Sequence, residues 1–253
     1  MDTGVLHGRF SYARFGSGPS VVVLPGMALR NRTPSGMLAA GYRQAFRPLA
    51  ADHTVSVIQR PRGLDPGTTT RDLAREYATV LDDLGPVDLV AMSTGGMIAQ
   101  HLVVDRPDLV RTVSLVVTGT RLSDSGRRIC ERWRELAAAG RWRRLHGELG
   151  AAAVDGVAVQ AVARAALAVT GGRPDAQEMA DFAITVAAVL GHGITFSPAV
   201  PLLMVCGATD PFFTPDPRAV VFRAGHGLPK RHSARLLAAI RQRMSSPASD
   251  VAG

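Results

Sequence analysis

Short apolar runs bounded by turn formers alternate with helical patterns over the first half of the chain, and that alternation leaves few folds open. Val21-Val22-Val23-Leu24 lies between Pro19 and Pro25-Gly26. Four large apolar residues, three of them β-branched, read as a strand buried on both faces. Thr54-Val55-Ser56-Val57-Ile58 is a second such run, closed by a Pro/Gly-rich loop from Pro61 to Gly67. Val87-Asp88-Leu89-Val90-Ala91 and Thr112 to Val117 are a third and a fourth. Between them, Thr69 stands three residues before Asp72 in a capping-box pattern, and Leu73, Tyr77, Val80, Leu81 and Leu84 recur at helical spacing until Gly85-Pro86. Met97, Ile98, Leu102 and Val103 mark the next helix, closed by Pro107. Val5 to Tyr12 alternates loosely, which suits an antiparallel edge pair. Strand and helix joined by short connections predict an α/β fold: a mostly parallel central sheet with helices on both faces.

From about Gly119 to Pro198 the strand pattern stops. Ile129, Trp133 and Leu136 share a face, then Trp142, Leu145 and Leu149; Val157 to Val169 is apolar on most sides. Asp175 and Glu178 repeat the capping-box pattern before Met179, Phe182, Val186 and Val189, and Gly191 ends that helix. Strands return at Leu202 to Cys206 and Ala219 to Phe222, followed by a helix from about Ser233 to Met244 and a small, polar tail from Ser245 expected to fray. The expected division is a core of residues 1–118 and 200–253 with an all-helical lid, residues 119–199, inserted into it.

The 253 residues suffice for one domain with a sizeable core. Hydrophobic residues make up 46% and charged residues 20%, which argues against disorder. No apolar run reaches the roughly 18 residues of a membrane span, and Met1-Asp2-Thr3-Gly4 does not start a secretory signal. Two cysteines, Cys130 and Cys206, cannot build a disulfide framework, so a cytoplasmic protein is expected. The net charge is +8, yet Lys230 is the one lysine among 29 basic residues. With no zinc spacing or nucleic-acid motif beside it, that arginine bias is read as genome composition and nucleic-acid binding is not expected.

Chemistry concentrates at Ala91-Met92-Ser93-Thr94-Gly95-Gly96, where a strand turns directly into a helix. A serine there is forced into a strained turn that lifts its hydroxyl above the sheet edge, with small residues needed on either side, and the helix N-terminus favours developing negative charge. A serine nucleophile needs a base, and the base an orienting acid. Asp210 follows the strand ending at Cys206, and His226 follows the last strand in Ala224-Gly225-His226-Gly227. The chain order is Ser, Asp, His, each at the carboxyl end of a strand, where open α/β sheets place their sites. Gly191-His192-Gly193 repeats the histidine tripeptide but precedes the strand that carries Asp210, so His226 is preferred as base. Asp216 and Asp124 are alternative acids, and His7, His53, His101, His146 and His232 are read as surface or packing residues. Two backbone N–H groups are needed for an oxyanion hole, expected at Thr94 and at Met27, just past Pro25-Gly26. Met179, Phe182, Val186 and Leu190 are expected to line an apolar acyl pocket under the lid.

These residues resemble the serine-nucleophile branch of the α/β-hydrolase superfamily, over nearly the whole chain, with a lid like those of small bacterial esterases and lactonases. The resemblance implies a cofactor-free, metal-free hydrolase acting on a carboxylic ester, lactone or thioester of a small molecule, free or bound to an acyl carrier, through an acyl-serine. It disfavours an aspartate nucleophile, since Ser93 occupies the elbow. An acyl transferase, cyclase or lyase on the same scaffold, and a non-catalytic ligand-binding protein, are the alternatives. The chain departs from the family pattern at Ala91, where glycine is usual, and in the loop Gln59-Arg60-Pro61-Arg62-Gly63. It also departs between its last two strands, where Pro211, Pro215 and Pro217 leave little room for a helix.

Overall fold

The computed structural model describes residues 1–245. The tail expected to fray lies, from residue 246 on, outside the described residues. Eight strands form one sheet. β1 (Asp2–Leu6) and β2 (Phe10–Phe15) are the antiparallel edge pair, and β2 runs antiparallel to β4 (Thr54–Ile58). β3 (Ser20–Leu24), β5 (Val87–Met92), β6 (Val110–Val116), β7 (Leu202–Gly207) and β8 (Val220–Phe222) complete the order β1-β2-β4-β3-β5-β6-β7-β8, parallel from β4 onward.

Side chains alternate across the pleat, so each central strand feeds two cores. Val22 and Leu24 of β3 and Leu89 and Ala91 of β5 pack with α2 (Thr70–Asp82) and α3 (Thr94–Asp105). Val21, Val23 and Val90 face the other way, onto Tyr42 of α1 (Gly36–Ala45) and Leu236, Leu237 and Ile240 of α9 (Ser233–Ser245). The Thr69–Asp72 capping box is complete: the Asp72 N–H donates to Thr69 Oγ1, and the Thr69 N–H to the Asp72 carboxylate. Helix α1 has no counterpart in the sequence reading. Its cap residue Ser35 makes no side-chain bond, Met37 and Leu38 are exposed, and Ala39 is its one buried residue, so it carries no amphipathic signature.

Between β6 and β7 the chain forms α4 (Asp124–Ala138), α5 (Trp142–Ala152), α6 (Val157–Thr170) and α7 (Ala176–Leu190), with no strand among them. α4 and α7 bury Trp133, Leu136, Phe182, Val186 and Val189 in a third core that sits over the carboxyl end of the sheet against Met97, Phe212 and Phe213. Polar bonds also tie α7 to two sheet loops: Asp181 accepts the N–H groups of Gly63 and Leu64 after β4, and Glu178 pairs with Arg32, in the loop after β3, at 2.6 Å. α6 buries no residue and leaves Val157, Val162 and Val169 exposed. The connection from β7 to β8 contains no helix, as its prolines predict. α8 (Leu228–Arg231) is a single turn ahead of α9. Among the described residues no helix is long and apolar enough to cross a membrane.

Candidate active site

Ser93 lies between β5 and α3 with φ 52° and ψ −119°, a left-handed conformation that costs a non-glycine residue about 1–3 kcal/mol. The surroundings hold it there. Its N–H donates to the Val116 carbonyl at 2.9 Å, and its carbonyl accepts from Thr118 Oγ1 at 2.9 Å. Both neighbouring glycines are sterically required, though not against Ala91. A Cβ on Gly95 would stand 2.3 Å from the Leu24 oxygen, and one on Gly96 would stand 2.5 Å from the Thr118 methyl. The helix start thus fits the end of the adjacent strand β3. Val117, just past β6, is also left-handed with φ 45°, an outlier for a β-branched residue that no sequence signal marked.

Asp210 and His226 are brought to this serine. A carboxylate only accepts, so His226 Nδ1–H donates to Asp210 Oδ2 at 2.8 Å and Nε2 is left to accept from Ser93 Oγ–H at 3.0 Å. The second Asp210 oxygen accepts the Phe212 N–H at 2.8 Å, and the acid side chain is 1% exposed. Phe212 and Phe213 lie against the imidazole, with ring centroids 4.6 and 6.0 Å away. The helix-free crossover therefore still delivers His226 within hydrogen-bonding distance of Ser93. Asp216 pairs instead with Arg218 at 2.9 Å, and Asp124 is an exposed first-turn residue of α4.

The second Gly-His-Gly is a different object. His192 is buried, with Nδ1 2.9 Å from Thr70 Oγ1 and its ring edge-on to His101. Burial pushes its pKa down to about 4. A Cβ on Gly191 would meet nothing closer than 3.6 Å, and one on Gly193 nothing within 4 Å. Around His226 the glycines are needed: a Cβ on Gly225 or Gly227 would lie 2.7 Å from atoms of the α5–α6 bend. Of the other histidines, His7 and His53 sit beside Asp83 and Asp52, His101 faces His192, His146 meets the Gly172 carbonyl and His232 packs on Phe222.

Met27 and Thr94 flank Ser93 in the wall of one cavity, and the loop after β3 presses close, with a Gly26 Cβ position 3.2 Å from Ser93 Cβ. Arg60, 1% exposed, holds that loop: its guanidinium donates to the Gly26 carbonyl at 3.0 Å and the Ala28 carbonyl at 2.9 Å, the residues on either side of Met27. The sequence marks the Arg60 loop only as a departure from the family pattern; the contact is long-range and leaves no local signature.

The cavity above Ser93 has a volume of about 410 Å³. Leu122, Cys130, Trp133 and Leu149 wall it on the side of the helical insertion, and Phe46, Leu237 and Ile240 on the side of α1 and α9. Burial pushes the Cys130 thiol up to about 12, so it serves as an apolar wall residue. The expected acyl-pocket residues Met179, Phe182, Val186 and Leu190 do not line this cavity; of α7, only Val189 does. They lie one layer back, packing α7 onto α4, because α4 and α5 are the helices that face the serine. Among the described residues no cluster of His, Cys, Asp or Glu side chains is placed to hold a metal ion.

Solved structures share this architecture. MGS-M2, an alpha/beta hydrolase enzyme from a Medee basin deep-sea metagenome library, superposes with TM-score 0.74 at 12% identity, covering 98% of this chain and 99% of that one. The enol-lactonase from Burkholderia xenovorans LB400 gives 0.73 at 15% identity over 97% and 100%. A thermophilic esterase from Thermogutta terrifontis gives 0.66 at 19% identity over 96% of both chains. At these identities the likeness is one of fold. No curated protein matches the sequence. Residues 21–244 match the Alpha/beta hydrolase family, which spans the sheet from β3, the helical insertion and the last helix. The protein therefore belongs to the alpha/beta hydrolase family and is an enzyme of the hydrolase type.

Proposed function

We propose that this hydrolase cleaves a carboxylic ester, lactone or thioester through an acyl-serine on Ser93. The observation that carries the reading is the continuous relay Ser93 Oγ, His226 Nε2, His226 Nδ1, Asp210 Oδ2, with steps of 3.0 and 2.8 Å. In it Ser93 Oγ attacks the carbonyl carbon while His226 Nε2 takes its proton. Asp210 fixes the tautomer and stabilises the imidazolium. The Met27 and Thr94 N–H groups hold the tetrahedral oxyanion at the N-terminus of α3. Collapse breaks the bond to the leaving oxygen or sulfur, which departs with the proton from His226. Water, deprotonated by the same imidazole, then attacks the acyl carbon and releases the acid and Ser93.

The cavity supports an apolar substrate. Its volume falls at the lower end of the roughly 300–1,000 Å³ of small-molecule sites. Its walls are aliphatic and aromatic on both sides of the serine, so acyl and leaving groups both meet hydrocarbon. The helices of residues 119–199 act as the lid that completes those walls. The test is a fluorophosphonate probe followed by an ester and thioester panel read by mass spectrometry. Labelling at Ser93 with release of free acid supports the reading; an unlabelled, fully active Ser93→Ala variant overturns it.

A further inference from the structure

The bend between α5 and α6, residues 153–156, meets the loop that carries His226. Asp155 in that bend accepts two backbone hydrogen bonds: the Gly225 N–H donates to Oδ2 and the Gly227 N–H to Oδ1, both at 3.0 Å. One carboxylate thus grips the chain on each side of the histidine. The approach is close enough to exclude side chains. A Cβ on Gly225 would stand 2.7 Å from Asp155 Oδ1, and one on Gly227 would stand 2.7 Å from the Asp155 nitrogen. His192, with the same flanking residues in sequence, has no such clamp.

The bend belongs to a stiff unit. α5 and α6 meet through Gly147 and Gly150, where a Cβ would fall 2.7 Å from the Arg164 oxygen and 2.4 Å from Leu167 Cδ1. α6 buries no residue, and at the bend the hairpin meets the His226 loop through the Asp155 carboxylate and the backbone of Val154 and Asp155. The last turn of α5 and the start of the bend supply Leu149, Ala152 and Ala153 to the cavity wall. Wall and base therefore meet at this bend, where the Asp155 carboxylate supplies the hydrogen bonds.

We propose that Asp155 is a positioning residue for the base: it fixes the backbone on both sides of His226 and ties it to the hairpin that walls the cavity. The inference rests on the serine-hydrolase reading above. Charge-assisted bonds to backbone N–H groups are stronger than neutral ones, and small displacements of a catalytic group are costly in rate.

The experiment is the rate constant of fluorophosphonate labelling, measured separately from its final amplitude, for the wild type, Asp155→Ala and Asp155→Asn. Asp155→Ala is expected to lower the rate constant about 10- to 100-fold while labelling still goes to completion. Asp155→Asn keeps one acceptor and falls between the two. A purely structural role moves the amplitude, the folded fraction, and leaves the rate constant alone. Hydrolysis of a p-nitrophenyl ester should show the loss in kcat, with KM nearly unchanged. If Asp155→Ala fails to fold, Asp155→Asn decides: a wild-type rate constant in whichever variant folds overturns the proposal. Amide hydrogen exchange reads the clamp without activity, and Gly225 and Gly227 are expected to exchange faster in both variants. A wild type that takes no label, with the exchange change present, overturns the serine reading and leaves the clamp standing; unchanged exchange overturns the clamp itself.

Discussion

Two histidines in identical tripeptides have opposite fates because of what lies around them. His226 keeps one nitrogen on Asp210 and offers the other to Ser93, so His226→Ala should abolish turnover, as should Ser93→Ala, by roughly 10³-fold or more. His192→Ala should leave the rate of Ser93 labelling near wild type; the reverse pattern would assign the base wrongly. His192 is instead visible in stability. Its folded pKa of about 4 lies below the ordinary 6.5, so the unfolded chain holds the proton more tightly. The contribution of His192 is therefore complete above about pH 6.5 and is lost as pH falls toward 4, by about 3 kcal/mol. His101, edge-on to it and likewise pushed down by burial, works in the same direction. Thermal melts between pH 7 and 4.5 should show a steeper fall in Tm for the wild type than for His192→Gln, and parallel curves would rule this out.

Among the elements, α4 and α7 divide the work of the helical insertion. Phe182 is 1% exposed in the core between them, so Phe182→Ala should cost about 3–5 kcal/mol of stability and leave acyl chain-length preference unchanged. Trp133 on α4 lines the cavity, and Trp133→Ala should shift that preference toward longer chains. Kinetics on a series of p-nitrophenyl esters separates the two, and a preference change in Phe182→Ala would restore α7 as pocket wall. The contrast shows what was legible in the sequence. The elbow at Ser93, the Thr69–Asp72 and Asp175–Glu178 capping boxes and the helix-free crossover are local, and local spacing reveals them. Asp210 and His226 follow from chain order once strand ends are placed. Which helix faces the serine, the Arg60 grip on the Met27 loop and the Asp155 clamp are long-range packing, written in no window of the chain. α1 is illegible for another reason: Met37 and Leu38 point at solvent while Ala39 is buried, so its apolar residues do not mark one face.

At the scale of the whole molecule, charge is unevenly spread. Seven arginines between Arg127 and Arg144 are all exposed, and Glu148 pairs with two of them, Arg132 at 3.1 Å and Arg144 at 3.9 Å. An exposed basic face near a cleft raises the encounter rate of anionic substrates, and salt screens it beyond about 8 Å at physiological ionic strength. kcat/KM for a carboxylate- or phosphate-bearing ester should therefore fall with salt more steeply than for its neutral match; equal slopes would leave these arginines as solubilising surface. The helix-free crossover from β7 to β8 has a consequence in time as well as in space. It leaves Asp210 and His226 16 residues apart in sequence, while His226 and Ser93 are separated by 133. Closing the longer loop costs about 2 kcal/mol more chain entropy. The Asp210–His226 pair is thus the half of the site a refolding chain reaches cheaply, and the contact with Ser93 waits for the sheet. Recovery of Ser93 labelling after dilution from denaturant should lag recovery of helical circular dichroism, so that reactivity is the last property the chain regains.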